Sequence, residues 1–111
     1  MSQADADTLI VLTNLPDRAS AMNIARDLVE QRLAACVNVF GEIASVYRWE
    51  GRVATENEVA VLVKTQRALY DRVEAAITAA HPYELPEIVA IPIVRGLPGY
   101  LRWVVAETTS G

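Results

Sequence analysis

Residues 88–94 read IVAIPIV and are apolar at nearly every position. A strand with this pattern needs burial on both faces, unlike a strand in which apolar and polar residues alternate. Pro92 cannot donate a ladder hydrogen bond, which confines the strand to a sheet edge or a bulge. An uncovered apolar edge strand makes a soluble monomer prone to aggregation. We therefore expect another copy of the chain to cover this strand.

A stiff loop, HPYELPE at residues 81–87, precedes this strand. Pro82 disfavours the α conformation at the residue before it, so the amphipathic helix upstream ends at or before His81. The two prolines of the loop also restrict Tyr83 and Glu84. A rigid loop with these side chains at a helix end is either a binding site or a plain connector.

The composition indicates one small domain that associates with itself. The chain has 111 residues, enough for one modest core, and we expect a disordered tail at residues 1–7 and a single domain at residues 8–111. Hydrophobic residues make up 52% of the sequence, which suits a protein that buries extra surface between copies. The net charge is −4 without a basic cluster, so nucleic acid is not an expected partner.

The single cysteine, Cys36, excludes an internal disulfide and a CxxC metal or redox site. The N-terminus lacks the basic and apolar regions of a secretion signal, and no apolar run approaches the ~20 residues that span a bilayer. The sequence therefore predicts a cytoplasmic protein without a membrane partner.

The first half of the chain alternates strand and helix signals. Residues 8–13 predict an apolar strand, which the turn-forming residues 14–17 close. Asp17 or Ser20 can cap the helix that follows, which we expect to end near Ala35. The predicted buried face of this helix consists of Ala21, Ile24, Ala25, Leu28 and Val29.

Residues 36–49 alternate with period two, which predicts a long strand. Gly41 marks a bulge in it, residues 50–51 form a hairpin tip, and residues 52–64 form the return strand. Thr65 is the predicted cap of the second helix. One side of the long strand is predicted to carry Val37, Val39, Ile43, Tyr47 and Trp49.

The element order is therefore strand, helix, strand, strand, helix, strand, followed by a short amphipathic helix. This order is the split βαβ, or ferredoxin-like, layout of the α+β class, with a four-stranded antiparallel sheet. The last and second strands form its edges, in agreement with Pro92. Because both helices cover one sheet face, we expect other copies of the chain to bury the second face.

Five motifs in order resemble the CutA family of divalent-cation-tolerance proteins. They are LAACVNV, SVYRWEG, EVAVLVKT, HPYELPEI and YLRW, which begin at residues 33, 45, 58, 81 and 100. The resemblance covers the chain from about residue 8. It implies a ferredoxin-like protomer in a tight homotrimer similar to the PII signalling proteins, a role in the response to copper and other divalent metal ions, and no enzymatic activity.

The resemblance also points to a metal site from which this sequence departs. The copper ligands proposed for enteric bacterial members are a cysteine near the end of the first strand and two consecutive histidines before the Pro-Tyr. Those positions hold Thr13, Ala80 and His81 here, so that constellation retains one ligand. A divalent metal such as Cu²⁺ is a candidate cofactor, with His81 and Cys36 as candidate ligands.

His81 and Cys36 also have plainer interpretations. His81 lies at a helix C-terminus, where the dipole favours imidazolium, whereas a metal needs neutral imidazole. It can instead be a hydrogen-bonding residue at the helix end. Cys36 can be a small buried hydrophobe.

A second hypothesis is a ligand cleft between subunits. Glu58 and Lys64 lie six residues apart on one strand face, and Lys64 is expected directly before a helix N-terminus, which favours anions. The alternative function is therefore a PII-like sensing module that binds a small anionic ligand. The predicted cleft residues are Lys64, Glu58, Trp49, Tyr83 and Glu84.

Large aromatic rings dominate interfaces because they bury much area. We therefore expect Tyr47, Trp49, Tyr100 and Trp103 at the trimer interface. An enzyme is the least supported class, because the chain has neither the Gly-rich anion loop of acylphosphatases nor the CxxC of metal chaperones that share this fold.

Overall fold

The computed structural model describes residues 7–109 and contains one four-stranded antiparallel sheet in the order β2-β3-β1-β4. Of the tail predicted at residues 1–7, residues 1–6 lie outside the described residues. The predicted ferredoxin-like layout is confirmed, with β2 and β4 at the edges. The elements are β1 (Thr8–Leu15), α1 (Arg18–Glu30), β2 (Cys36–Trp49), β3 (Arg52–Gln66), a 3₁₀ turn (Arg67–Leu69), α2 (Tyr70–Ala80), β4 (Ile88–Pro92) and α3 (Pro98–Glu107).

The core lies between one sheet face and the helices α1 and α2. Odd-numbered residues of the two central strands point into it, because β1 and β3 pair in a register that places Val11 opposite Val63 and Leu15 opposite Val59. Side chains on one face of a strand recur every second residue. The buried cluster comprises Val11, Leu15, Ala21, Ile24, Leu28, Leu33, Ala34, Val59, Val61, Val63, Val73 and Ile77.

Helix α1 begins at a predicted cap and ends earlier than predicted. Asp17 Oδ1 accepts hydrogen bonds from the Ser20 amide at 2.8 Å and the Ser20 hydroxyl at 2.7 Å. The hydrogen bond from the Ser20 amide is the largest cause that lowers the pKa of Asp17 below its usual value. The helix ends at Glu30, not near Ala35. Arg32 adopts a left-handed φ of 59°, an uncommon conformation for a residue other than glycine.

A Schellman arrangement explains this termination. The Arg32 amide donates to the Val29 carbonyl at 3.1 Å, and the Leu33 amide donates to the Leu28 carbonyl at 2.9 Å. Both bonds satisfy carbonyls that the end of the helix leaves free. Val29, which was predicted on the buried face, is 42% exposed.

The predicted cap of the second helix was wrong. Thr65 lies inside β3, opposite Leu9, and its hydroxyl donates to the Leu33 carbonyl at 2.6 Å. The strand continues to Gln66, and α2 begins only at Tyr70 without a side-chain cap. Pairing with β1 therefore extends β3 beyond the point at which the local sequence suggests a helix start.

The bulge predicted at Gly41 is confirmed, and it divides β2 into two halves. Val39 pairs with Val61 and Glu42 pairs with Val59, so two residues of β2 oppose one residue of β3. The extra residue reverses the faces of the strand. The prediction that five apolar residues share one side was therefore wrong: Val37 and Val39 pack against the core, whereas Ile43, Tyr47 and Trp49 lie on the opposite face, beside the even-numbered residues of β3.

The sheet face opposite α1 and α2 is called the open face below. Helix α3 covers one end of it, where Gln66 Nε2 donates to the Val105 carbonyl at 3.2 Å and to Thr108 Oγ1 at 2.7 Å. Leu101 and Val104 of α3 are buried. The expectation that the whole open face is uncovered within one chain was therefore wrong at this end. Its centre still carries half-buried or exposed apolar side chains, namely Ile10, Leu12, Leu62, Val89 and Ile91.

No helix among the described residues has the length and apolar character that crossing a membrane requires.

Candidate functional site

A hairpin that extends beyond the sheet forms one wall of the candidate site. β1 ends at Leu15, opposite Val59, whereas β2 and β3 continue as a two-stranded ribbon to their turn at Glu50 and Gly51. Both turn residues have positive φ, 49° and 78°, as expected for a tight hairpin turn. Along this length, residues 7–109 provide no third strand beside the ribbon.

The predicted stiff loop forms the other wall. Asn14 lies at the end of β1, and its side-chain amide donates to Glu87 Oε1 at 3.2 Å. This bond and the pairing of Thr13 with Ile88 hold residues 82–87 beside the ribbon. Between loop and ribbon lies a cavity of about 1030 Å³, which we call the hairpin cavity. It is lined by Asn14, Pro16, Ser45, Val46, Tyr47, Trp49, Glu56, Asn57, Glu58, Pro82, Tyr83, Glu84, Leu85, Pro86 and Glu87.

Glu58 is the most deeply buried charged residue in this cavity, with 8% of its surface exposed. The Tyr83 hydroxyl lies within hydrogen-bonding reach of its carboxylate. Burial first, and then this interaction and the charges of Glu58 and Glu56, raise the pKa of Tyr83 to about 12. The phenol is therefore neutral at physiological pH and acts as a donor to Glu58.

His81 lies next to the cavity, and hydrogen bonds occupy both of its ring nitrogens. Nε2 is 2.6 Å from the Asn14 carbonyl, and Nδ1 accepts a bond from the Tyr83 amide at 3.3 Å. Because a carbonyl only accepts, Nε2 carries the proton and Nδ1 supplies the lone pair. The ring is buried and lies 4.7 Å from the Tyr83 ring. This arrangement matches the hydrogen-bonding interpretation and leaves no lone pair free for a metal.

The two predicted metal ligands do not meet within the chain. Cys36 is half-buried at the start of β2, where it opposes Lys64, whereas His81 is bonded to Asn14, which opposes Ala60. Four residues of strand separate these positions, a distance of about 13 Å. Across residues 7–109, no three His, Cys, Asp or Glu side chains are grouped so that they could hold a metal ion.

Thr13 occupies the position at which the family resemblance places a cysteine ligand. It lies on the buried face of β1, and its hydroxyl has no hydrogen-bond partner among the described residues. The hydroxyl is therefore an isolated polar group on the helix side of the sheet and adds no second ligand to His81.

Lys64 is the one predicted cleft residue that lies outside the hairpin cavity. It is on the open face with Glu58, but six strand residues place them about 20 Å apart. Its ammonium donates to Asn38 Oδ1. The expected position directly before a helix N-terminus was wrong, because α2 begins at Tyr70.

The other four cleft residues, Glu58, Trp49, Tyr83 and Glu84, all line the cavity. Sequence reasoning did not assign Glu56 to this site, and it placed Tyr47 only at an interface. The signal that would have found both is the bulge at Gly41, because it brings Tyr47 and Trp49 to the face that carries Glu56 and Glu58.

The remaining predicted interface aromatics lie together on α3. The rings of Tyr100 and Trp103 are 5.6 Å apart, and both residues are exposed in the single chain. Burial first, and then the nearby Cys36, raise the pKa of Tyr100. Tyr100 and Trp103 thus form an aromatic patch at the covered end of the open face, remote from the hairpin cavity.

Comparison with known proteins gives a consistent family. Residues 9–107 match the model of the CutA1 divalent ion tolerance protein family. The divalent-cation tolerance protein CutA of Thermus thermophilus is 43% identical over 99 residues, which cover 89% of this chain and 96% of that protein.

The similarity extends to longer relatives and to solved structures. The mouse protein CutA is 42% identical over 95 residues, which cover 86% of this chain but only 54% of the mouse protein. This chain thus spans about half of that relative. The crystal structure of CutA from Xylella fastidiosa superposes with a TM-score of 0.90 at 39% identity, covering 93% of this chain and 99% of that one.

The interaction of Tyr83 with Glu58 makes the titration of Tyr83 a test of the site geometry. We expect Glu58→Gln to lower the pKa of Tyr83 from about 12 towards the ordinary ~10, because the substitution removes the negative charge but keeps the size of the side chain. NMR titration of ¹³C-labelled tyrosines measures this shift.

Glu74→Gln is the matched control. Tyr70 donates to Glu74 Oε2 at 2.6 Å, and its pKa is raised to about 12, chiefly by this bond. The control should lower the pKa of Tyr70 and leave that of Tyr83 unchanged. An unaltered Tyr83 titration in Glu58→Gln would contradict the described cavity.

Proposed function

The chain belongs to the CutA1 divalent ion tolerance family, and we propose that it acts in the response to divalent metal ions as a homotrimeric binding protein of the cytoplasm. The metal response follows from the family. The trimer and the likeness to PII proteins follow from the resemblance of its motifs. The unpaired Cys36 supports a reducing compartment, and the family is one of tolerance proteins, which supports a role in binding and not in catalysis.

The observation that carries this proposal is the uncovered centre of the open face. Val89 and Ile91 on the edge strand β4 are about half exposed, and they lie beside the half-buried Ile10 and Leu12 of β1. Monomeric proteins rarely expose large contiguous apolar patches. If ~1,000 Å² of apolar surface per chain is covered in the assembly, the gain is on the order of 25 kcal/mol before the costs of association.

Assembly is the first property to test. We expect light scattering to detect a trimer without folded monomer at micromolar concentration, and Ile91→Asp to dissociate it, because the substitution places a charge in the centre of the open face. The control is Val29→Asp on the outer side of α1, since Val29 and Ile91 are comparably exposed in the single chain, 42% and 49%. Circular dichroism checks the fold of each variant. A folded wild-type monomer would overturn the trimer.

Copper is the second property to test. We expect weak and unselective Cu²⁺ binding, because His81 has to give up a hydrogen bond to coordinate a metal and Cys36 lies elsewhere on the sheet. Calorimetric titration should show that the residual affinity falls in His81→Ala and is unchanged in Cys36→Ser. A sub-micromolar, stoichiometric site that survives in His81→Ala would contradict this expectation.

The alternative function is a PII-like sensor that binds a small anionic ligand between subunits. One observation favours it: Lys64 forms no ion pair with a carboxylate in residues 7–109, and its side-chain partner is the neutral Asn38 amide. Lys64 would have to approach the cleft from a neighbouring copy. Such a site predicts that carboxylates, phosphates or nucleotides raise the melting temperature, that Lys64→Ala abolishes the effect and that Arg26→Ala on α1 does not. An equal response in Lys64→Ala would exclude it.

A further inference from the structure

The hairpin cavity has an unusual chemical composition. Its lining contains four glutamates and three aromatic residues, but no lysine, arginine or histidine. The glutamates Glu56, Glu58, Glu84 and Glu87 approach it from both walls, two from the ribbon and two from the loop. The one hydrogen bond described for Glu87 comes from the neutral side-chain amide of Asn14. The lining therefore carries negative charge only, although Arg52 lies beside it, opposite Trp49 on the same face of the ribbon.

Glu58 shows most clearly that a positive charge is missing. It is buried to more than nine-tenths, and its one identified donor is the neutral phenol of Tyr83. The ion pair found among residues 7–109, Arg32–Glu107, lies elsewhere on the surface. A buried carboxylate is costly unless it is paired, and a carboxylate accepts about four hydrogen bonds. Glu58 therefore retains acceptor capacity towards the cavity.

The aromatic rings determine which kind of cation fits. Trp49 is 42% exposed and Tyr47 is similarly accessible, and both lie on the cavity face of the ribbon beside Glu56 and Glu58. Aromatic faces attract ammonium groups by cation–π interaction, and indole attracts them most strongly. A cavity of about 1030 Å³ far exceeds the volume of a metal ion, and its carboxylates are not clustered as metal ligands.

We propose that the hairpin cavity binds an organic ammonium cation, a protonated or quaternary amine, with Glu58 as its counter-ion and with Trp49 and Tyr47 against its alkyl groups. Burial raises the pKa of Tyr83 most, and the negative charges of Glu58 and Glu56, which raise it further, would also attract a cation. All of these groups belong to one chain. The site therefore goes beyond the metal response and needs no side chain from another copy, in contrast to an anion cleft that needs Lys64 from another copy.

Choline and its uncharged isostere 3,3-dimethylbutan-1-ol test the charge requirement directly. NMR titration of the wild-type chain should show saturable, millimolar or tighter choline binding, with shifts confined to residues 45–58 and 82–87. The isostere has nearly the same shape but lacks the positive charge, so it should bind about 10-fold more weakly or worse. Equal binding of the two compounds would overturn the proposal, because it would show that the cavity recognises only apolar surface.

Two pairs of variants locate the binding energy. Glu58→Gln should weaken choline binding about 10-fold, whereas Glu30→Gln, which removes the same charge from the exposed side of α1, should not alter it. Trp49→Leu should weaken binding by a similar factor, whereas Trp103→Leu should not. Unchanged affinity in Glu58→Gln, or equal losses in each variant and its control, would overturn the proposal.

Light scattering on the same samples separates this inference from the proposed function. A trimer that fails to bind choline would overturn the cation site and leave the trimer standing. Choline binding to a monomer would support the site and overturn the trimer. Displacement of choline by stoichiometric Cu²⁺ or Zn²⁺ would identify the cavity as a metal site and would also overturn the proposal.

Discussion

The pairing of β1 with β3 is the constraint on which the rest of the molecule depends. Eight consecutive pairs, from Thr8 opposite Gln66 to Leu15 opposite Val59, join strands that are more than forty residues apart in the sequence. This register decides which residues face the helices, where β4 can add to the sheet and how far β3 extends beyond β1. The length by which β3 extends beyond β1 sets the position of the hairpin cavity, since the cavity begins where β1 ends.

Local patterns predicted much of this fold because they depend on neighbouring residues. Alternation with period two, the pair Glu50-Gly51 and the proline in β4 were sufficient for the element order, the hairpin tip and the sheet edges. The errors arose where distant contacts or unusual backbone conformations determine the ends of the helices and strands. Arg32 ends α1 in a conformation usually assigned to glycine, and partners in β1 keep Thr65 in a strand. Neither feature is marked in the local sequence.

The candidate site was predicted in part, for a related reason. The loop and the hairpin were both recognised as carriers of polar and aromatic side chains, and four of the five proposed cleft residues lie in one cavity. Lys64 was included because a helix was expected directly after it. Lys64 lies about 20 Å from Glu58 along β3, so the cavity of a single chain lacks this expected cation and its lining is acidic. The distance along β3 that separates Lys64 from the cavity thus changes the class of ligand that the site favours.

The unsupported ribbon also has a consequence for motion. An isolated two-stranded ribbon is marginally stable in water, and segments with few apolar contacts open more readily than the core. Among the described residues, the backbone hydrogen bonds of the ribbon beyond Val59 join only its own two strands, so its amides should exchange with solvent faster than those of the paired length of β3. The width of the cavity then fluctuates with the bending of the ribbon. A ligand that contacts both the ribbon and the loop restricts this bending, so its binding free energy includes a loss of conformational entropy of the ribbon.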